Sequence, residues 1–139
     1  MGKPAMKKQI HVMVGVIWGQ NQEILLAKRP EHLHQGGLWE FPGGKLEAGE
    51  EALLGLSREL REELAIEVTR ASPLMEVKHD YGDKQVFLDI WQVTEFEGEA
   101  RGVEGQELRW VPLSELEQYE FPAANVAIIE RLQTGETLL

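Results

Sequence analysis

Between Glu50 and Leu64 the chain specifies a helix more firmly than any other element. Leu53, Leu56, Leu60 and Leu64 recur at helical spacing and form one apolar stripe, so one side of this helix must lie on a core. On a wheel of about 100° per residue the stripe covers about −40° to +40° around Leu60, and Glu63, Glu59 and Glu62 fall at about −60°, −100° and −160°. These carboxylates share a sector beside the buried stripe rather than opposite it. Ala52 and Gly55 occupy the same sector one to two turns earlier and leave space above the helix. Glu59 and Glu63 are an i,i+4 like-charge pair, which disfavours an isolated helix by about a few tenths of a kcal/mol. One reading is a solvated acidic face. The other is a cation site: Mg²⁺ takes oxygen ligands and is held by a few carboxylates plus substrate phosphates, so clustered glutamates become its ligands. Arg58, at about 160° on the wheel, is expected to pair with acidic neighbours and orient the site.

Around this helix the pattern is strand-rich. Ile10–Trp18 and Glu23–Ala27 read as strands joined by Gly19-Gln20-Asn21. A loop from Arg29 to Leu38 precedes a short extended piece, Trp39-Glu40-Phe41, stopped by Pro42-Gly43-Gly44. After Ser72-Pro73 come strands at Leu74–His79 and Gln85–Val93, turned by Tyr81-Gly82-Asp83; the second is apolar on nearly both faces, as a covered central strand is. Leu108–Val111 is a last short strand, and Pro122–Leu132 a second helix with Val126, Ile129 and Leu132 on one side. Strands and helices intermixed in this way imply an α/β fold, a mixed sheet with helices on its faces. The 139 residues, 42% hydrophobic, suit a single domain spanning 1–139.

Composition excludes several classes. With no cysteine there is neither disulfide nor thiol catalysis. A formal charge of −10, from 24 acidic and 14 basic residues, repels polymeric nucleic acid, while a small anionic ligand stays acceptable if bound cations reverse the local field. The apolar run Val12–Trp18 behind Lys7-Lys8 is short and lacks a cleavage pattern, so it reads as a strand rather than a signal peptide. No segment is long enough to span a bilayer. The expectation is a cytoplasmic protein without a membrane partner.

The order Gly44, five residues, Glu50, seven residues, Arg58-Glu59-Leu60, one residue, Glu62-Glu63 reproduces the box of the Nudix hydrolases; its glycine, arginine and four glutamates, six identities at fixed spacing, arise by chance on the order of 10⁻⁷ per start position. One position departs: the family usually has glycine where this chain has Ala65, and a non-glycine residue in a left-handed helix cap costs about 1–2 kcal/mol. The resemblance extends through Leu38–Lys45, through Gly98-Glu99 and Val103–Gln106, and through Phe121–Asn125, and it is closest to the MutT-type 8-oxo-dGTP diphosphatases. It implies a Nudix-type α/β/α sandwich with a mixed central sheet, a nucleoside triphosphate substrate, Mg²⁺ (with Mn²⁺ an alternative), and a monomer or weak homodimer.

For the site, the resemblance implies Glu59, Glu62 and Glu63 as metal ligands, the Gly43 carbonyl as a backbone ligand, and Glu104 as a further ligand or general base. Glu59 and Glu104 both stand as candidates for the base, because proximity and pKa decide it. Arg29, His34, Glu40, Phe41, Pro42, Gly43 and Lys45 are the expected substrate contacts, Glu40 and Phe41 through their backbone. Asn125 is the expected reader of the base. Oxidised guanine presents an acceptor at O6 and a donor at N7, which a primary amide complements; the other role open to Asn125 is to cap a helix beginning at Val126. Two alternatives share the box: a broader pyrophosphatase acting on CTP, other nucleotides or ADP-ribose, and a Nudix-fold sensor that binds without cleaving.

Overall fold

A computed structural model describes residues 8–32 and 36–134. His34 lies outside the described residues. The elements are β1 (Lys8–Ile17), β2 (Glu23–Lys28), β3 (Trp39–Glu40), β4 (Gly43–Lys45), α1 (Ala52–Leu64), β5 (Glu67–Asp80), β6 (Lys84–Glu97), β7 (Leu108–Pro112) and α2 (Val126–Gln133).

Two sheets form. The larger has the order β4-β1-β6-β5, with β1 and β6 parallel and the other pairs antiparallel; the smaller, β3-β2-β7, is antiparallel throughout. Side-chain alternation along β1 divides the core. Met13 and Ile17 pack with Leu56, Leu60 and Leu64 of α1, whereas Val14 and Val16 pack with Ile128 and Leu132 of α2. The leucine stripe is thus the seam of one layer, and α2 covers the opposite face. Gly15 lies directly beneath α1: a Cβ there would come within 3.3 Å of Leu60, so the missing side chain lets the helix settle on the strand. The result is the expected α/β/α sandwich on a mixed sheet.

Several boundaries differ from the sequence reading, each for a local reason. β5 begins at Glu67 and runs straight through Ser72-Pro73, which reads as a break. It is an edge strand, where proline's missing N–H removes no ladder bond that is needed, and the register slips between Pro73 and Met75. Gly43–Lys45 is a strand rather than a stop, because it pairs with Val12–Val14. Pro122 does not open α2: Ala123–Asn125 form a 3₁₀ turn first, and the helix begins at Val126. Ala65 adopts the left-handed conformation (φ 59°, ψ 34°) that favours glycine, with its N–H donating to Arg61 O at 3.0 Å.

Candidate active site

The site is built where the edge strand β4 meets the last two turns of α1. Gly43 faces Val14 in an antiparallel pair, while the flanking residues make the ladder bonds, as in Gly15 N–H to Pro42 O (2.8 Å) and Leu46 N–H to His11 O (2.9 Å). Both backbone groups of Gly43 therefore project off the free edge of the sheet. Its N–H donates to the carboxylate of Glu63. A Cβ on Gly43 would overlap the Met13 backbone carbonyl, and one on Gly44 would displace the Glu59 carboxylate. The Gly-Gly pair is what brings the α1 carboxylates against the strand backbone.

Three acidic side chains act on a fourth, Glu63, here. Glu63 is half-buried, and its carboxyl is pushed up from 4.5 to about 8, by burial first and then by the negative charges of Glu59, Glu104 and Glu40, with only the Gly43 N–H opposing. Burial also raises Glu59, though Arg58 partly offsets it. Glu40 is raised by burial against the opposing pull of Arg29, whose Nη1 donates to Glu40 Oε2 at 3.0 Å. Glu104 arrives from the loop between β6 and β7. That loop is docked on the end of α1 by Arg101 N–H to Leu64 O (3.0 Å) and Val103 N–H to Glu63 O (3.1 Å). Across a cleft of about 330 Å³, Glu104 and Gln106 face Arg29 and His32.

Glu62 takes a different position. Its carboxylate is turned to Arg58 (Nη1 to Oε2 3.2 Å) and is 59% exposed, bordering the cluster only through Glu59. Arg58 also reaches Glu50 at 2.7 Å, Glu47 at 3.3 Å and Glu59 at 3.1 Å, which ties the loop before α1 to the helix.

Phe41, Lys45 and Asn125 lie on the α2 side of the larger sheet, whereas Pro42, opposite Gly15, lies toward α1. Pro42 and Phe41 are buried, and the Phe41 ring stacks on Phe121 with centroids 5.4 Å apart. Lys45 is exposed and, paired with Val12, projects to the same face. Val12, Val77 and Val86 on that face are only partly buried, leaving an apolar floor beside the turn that carries Asn125. That turn contacts β5. Asn125 is half-buried, has helical angles (φ −87°, ψ −11°), and its side chain makes no capping bond, so the amide is not committed to the helix end.

Sequence reasoning missed two participants. The Glu40 side chain belongs to the acidic cluster through its charge interaction with Glu63, which no local pattern encodes. Gln106 bonds to both Glu63 and Glu104, and its one visible signal is its place two residues beyond Glu104.

Among the described residues no three acidic or imidazole side chains converge as a finished ligand set. The donor chemistry nonetheless fits a hard divalent cation. The side-chain donors are carboxylate oxygens, burial and then their mutual repulsion push Glu63 up to about 8, and the glycine edge brings them against the strand backbone.

Comparison with known proteins places this arrangement. The chain belongs to the NUDIX domain family, whose model matches residues 13–131. Within the family it is a Nudix hydrolase of the MutT type. An 8-oxo-dGTP diphosphatase of Escherichia coli (strain K12) is 36% identical over 126 residues, covering 91% of this chain and 98% of that protein. A solved structure from work on MutT of Aliivibrio salmonicida and Vibrio cholerae superimposes with a TM-score of 0.82 at 39% identity, covering 91% of this chain and 98% of that one. A CTP pyrophosphohydrolase of Escherichia coli (strain K12) is 37% identical over 123 residues, 88% of this chain and 90% of that protein.

Proposed function

We propose that this chain hydrolyses 8-oxo-dGTP to 8-oxo-dGMP and pyrophosphate, clearing an oxidised precursor from the cytoplasmic nucleotide pool before it enters DNA. The observation that carries the reading is the repelling carboxylate cluster, Glu40, Glu59, Glu63 and Glu104, set against the glycine edge of β4. Glu59, Glu63 and Glu104, with Glu62 at the border and the outward Gly43 carbonyl, would hold magnesium. When bound, magnesium neutralises phosphate charge and lowers the pKa of a coordinated water.

The protein's own contribution is positioning. Arg29, held by Glu40 beside the cluster, orients the phosphates with Lys45. Glu59 or Glu104 accepts the proton of the attacking water at a carboxylate oxygen. The water oxygen bonds to phosphorus as the bridging oxygen leaves with pyrophosphate. Over the apolar floor, the Asn125 amide donates to O6 and accepts from N7–H of the oxidised base, while its carbonyl faces a lone pair on unmodified guanine. His34 is carried in this reading as a substrate contact from the Arg29 loop. No helix among the described residues is long and apolar enough to cross a membrane, and we take the working form as a monomer or weak homodimer.

The CTP pyrophosphohydrolase relative supports a second reading, hydrolysis of CTP or of other nucleotides. One panel separates the two: kcat/KM for 8-oxo-dGTP, dGTP, CTP and ADP-ribose, with magnesium and with EDTA. The proposal expects a preference for 8-oxo-dGTP that Asn125→Asp largely removes, since sites built on such hydrogen bonds discriminate by up to about 10⁴–10⁵. An 8-oxo-dGTP to dGTP ratio that stays within about a factor of three of wild type excludes Asn125 as the reader. CTP as the best substrate favours the second reading, and binding without turnover favours a sensor.

A further inference from the structure

The two halves of the acidic cluster come from separate elements: Glu63 from α1, and Glu104 from a loop reached 41 positions later. Two backbone contacts dock that loop on the helix end, but neither involves Glu104 itself. The direct tie is a single side chain. Gln106 Oε1 accepts from the Glu104 backbone N–H at 2.9 Å, and Gln106 Nε2 donates to the Glu63 backbone carbonyl at 3.2 Å.

This carbonyl is one of the helix-end acceptors that α1 cannot satisfy internally. The same primary amide thus closes the helix end and fixes the residue carrying the second carboxylate. Its orientation is determined, because a flipped amide would set donor against donor and acceptor against acceptor. The loop is shaped to deliver it. Gly105 has φ +82° and its N–H closes a turn onto Gly102 O at 2.9 Å, and a Cβ at Gly102 would overlap the Gln106 backbone carbonyl. Gln106 is half-buried at this junction, and no other side chain among the described residues bonds to both partners.

We infer that Gln106 is the positioning residue that sets Glu104 against Glu63, and so fixes the spacing of the cation-binding carboxylates. The inference rests on the reading of those glutamates as cation ligands. Gln106 touches no reacting atom; it acts through Glu104. Groups that orient metal ligands typically change affinity or activity by about 10- to 100-fold when removed.

The test uses the full-length protein and Gln106→Met, which keeps length and volume and removes both hydrogen bonds. Manganese binding in the absence of nucleotide is read by calorimetry, amide exchange by NMR, and kcat and KM separately at saturating magnesium. The expected result is a manganese Kd weakened by about tenfold, a comparable loss in kcat, a nucleotide KM within about twofold, and faster exchange at the Glu104 amide. A double-mutant cycle with Glu104→Gln isolates the route: if Gln106 works through Glu104, Gln106→Met adds no further loss in the Glu104→Gln background. Multiplying losses, or an unchanged manganese Kd in a wild-type-active Gln106→Met protein, overturns the inference. A wild-type protein that binds no manganese and hydrolyses no nucleotide overturns the underlying reading instead, so the two failures are told apart.

Discussion

Two acidic clusters share one helix and end in opposite electrostatic states. On one side, Glu47, Glu50, Glu59 and Glu62 surround the Arg58 guanidinium. Its hydrogen bonds pull the Glu50 carboxyl down from 4.5 to about 2. On the other side, Glu63 is buried, faces the charges of Glu59, Glu104 and Glu40 against only the Gly43 N–H, and rises to about 8. The residue type is the same and the positions are at most a few turns apart, so the state of each is set by what faces it. A cluster with its own cation is a structural clasp. In the second cluster Glu40 and Glu59 keep Arg29 and Arg58, but the buried Glu63 is settled by a proton or by a cation supplied from outside, which is the physical signature of a site.

The largest effect should come from the uncompensated cluster. Glu63→Gln is expected to lower kcat by about two orders of magnitude or more, in the range associated with loss of water activation and proton transfer. In the metal-free state the same variant should be at least as stable as wild type, because it removes a carboxylate that is repelled where it sits. Steady-state rates and thermal unfolding measured on one preparation check both halves. Near-wild-type turnover at saturating magnesium would remove Glu63 from the metal site and dissolve the contrast with Glu50.

Cation and pH should act on the two clusters in opposite senses. Magnesium at a hundredfold excess over Kd is expected to stabilise the fold by about 2.7 kcal/mol, beyond what sodium chloride does at matched ionic strength. In the metal-free protein Glu63 keeps a proton up to about 8 that the unfolded chain releases near 4.5. Its contribution is therefore fully present below about 4.5 and is lost as pH rises through about 8. Glu50 runs the other way, contributing above 4.5 and losing that contribution as pH falls toward about 2. Stability of the metal-free protein should decline from pH 5 to pH 8, and magnesium or Glu63→Gln should flatten that decline. Identical slopes in wild type and Glu63→Gln, measured by denaturant unfolding, would show that Glu63 is solvated after all.

What the sequence disclosed follows the range of the interactions involved. The leucine stripe and the glutamates of α1 were legible because helical periodicity is local, and β6 was legible because its apolar residues run on both faces. Pro73 misled because proline is a breaker everywhere except where the strand lies at an edge, and edge position is a property of the assembled sheet. Glu62 looked equivalent to Glu59 and Glu63 on the wheel, yet it lies an i,i+4 step from Arg58 and its carboxylate goes there. Glu40 looks in sequence like a polar residue between two aromatics; its charge acts on Glu63, 23 positions later, only in the assembled fold.

Breaking the clasp should cost stability rather than chemistry first. Arg58→Lys keeps the charge but not the fork that donates from Nε and Nη2 to Glu50 at 2.7 and 3.0 Å. The expected result is a lower Tm, because a single ammonium cannot reproduce both bonds to Glu50. Activity should fall less than in Glu63→Gln, since Arg58 reaches the cluster only through Glu59 and Glu62. A variant with wild-type stability and a deep loss of kcat would reverse the assignment of the two clusters.

The smallest effect isolates the helix end on which both clusters converge. Ala65 holds a left-handed conformation that costs an alanine about 1–2 kcal/mol and a glycine almost nothing. Ala65→Gly relieves that strain, but the unfolded chain gains freedom worth about 0.4–1 kcal/mol, which offsets part of the gain. The expected balance is a stabilisation of about 0.5–1 kcal/mol, seen as a rise of a few degrees in Tm. Because the Glu63 and Leu64 carbonyls already anchor the Arg101, Val103 and Gln106 donors, the backbone around Ala65 is held from both sides and should not move. Turnover should therefore stay within about twofold of wild type, unlike the change at Glu63 two residues earlier. If Ala65→Gly instead lowers Tm, the alanine methyl packs more favourably than its backbone is strained. If it alters the magnesium dependence, the left-handed cap itself sets the spacing of Glu63 from Glu104.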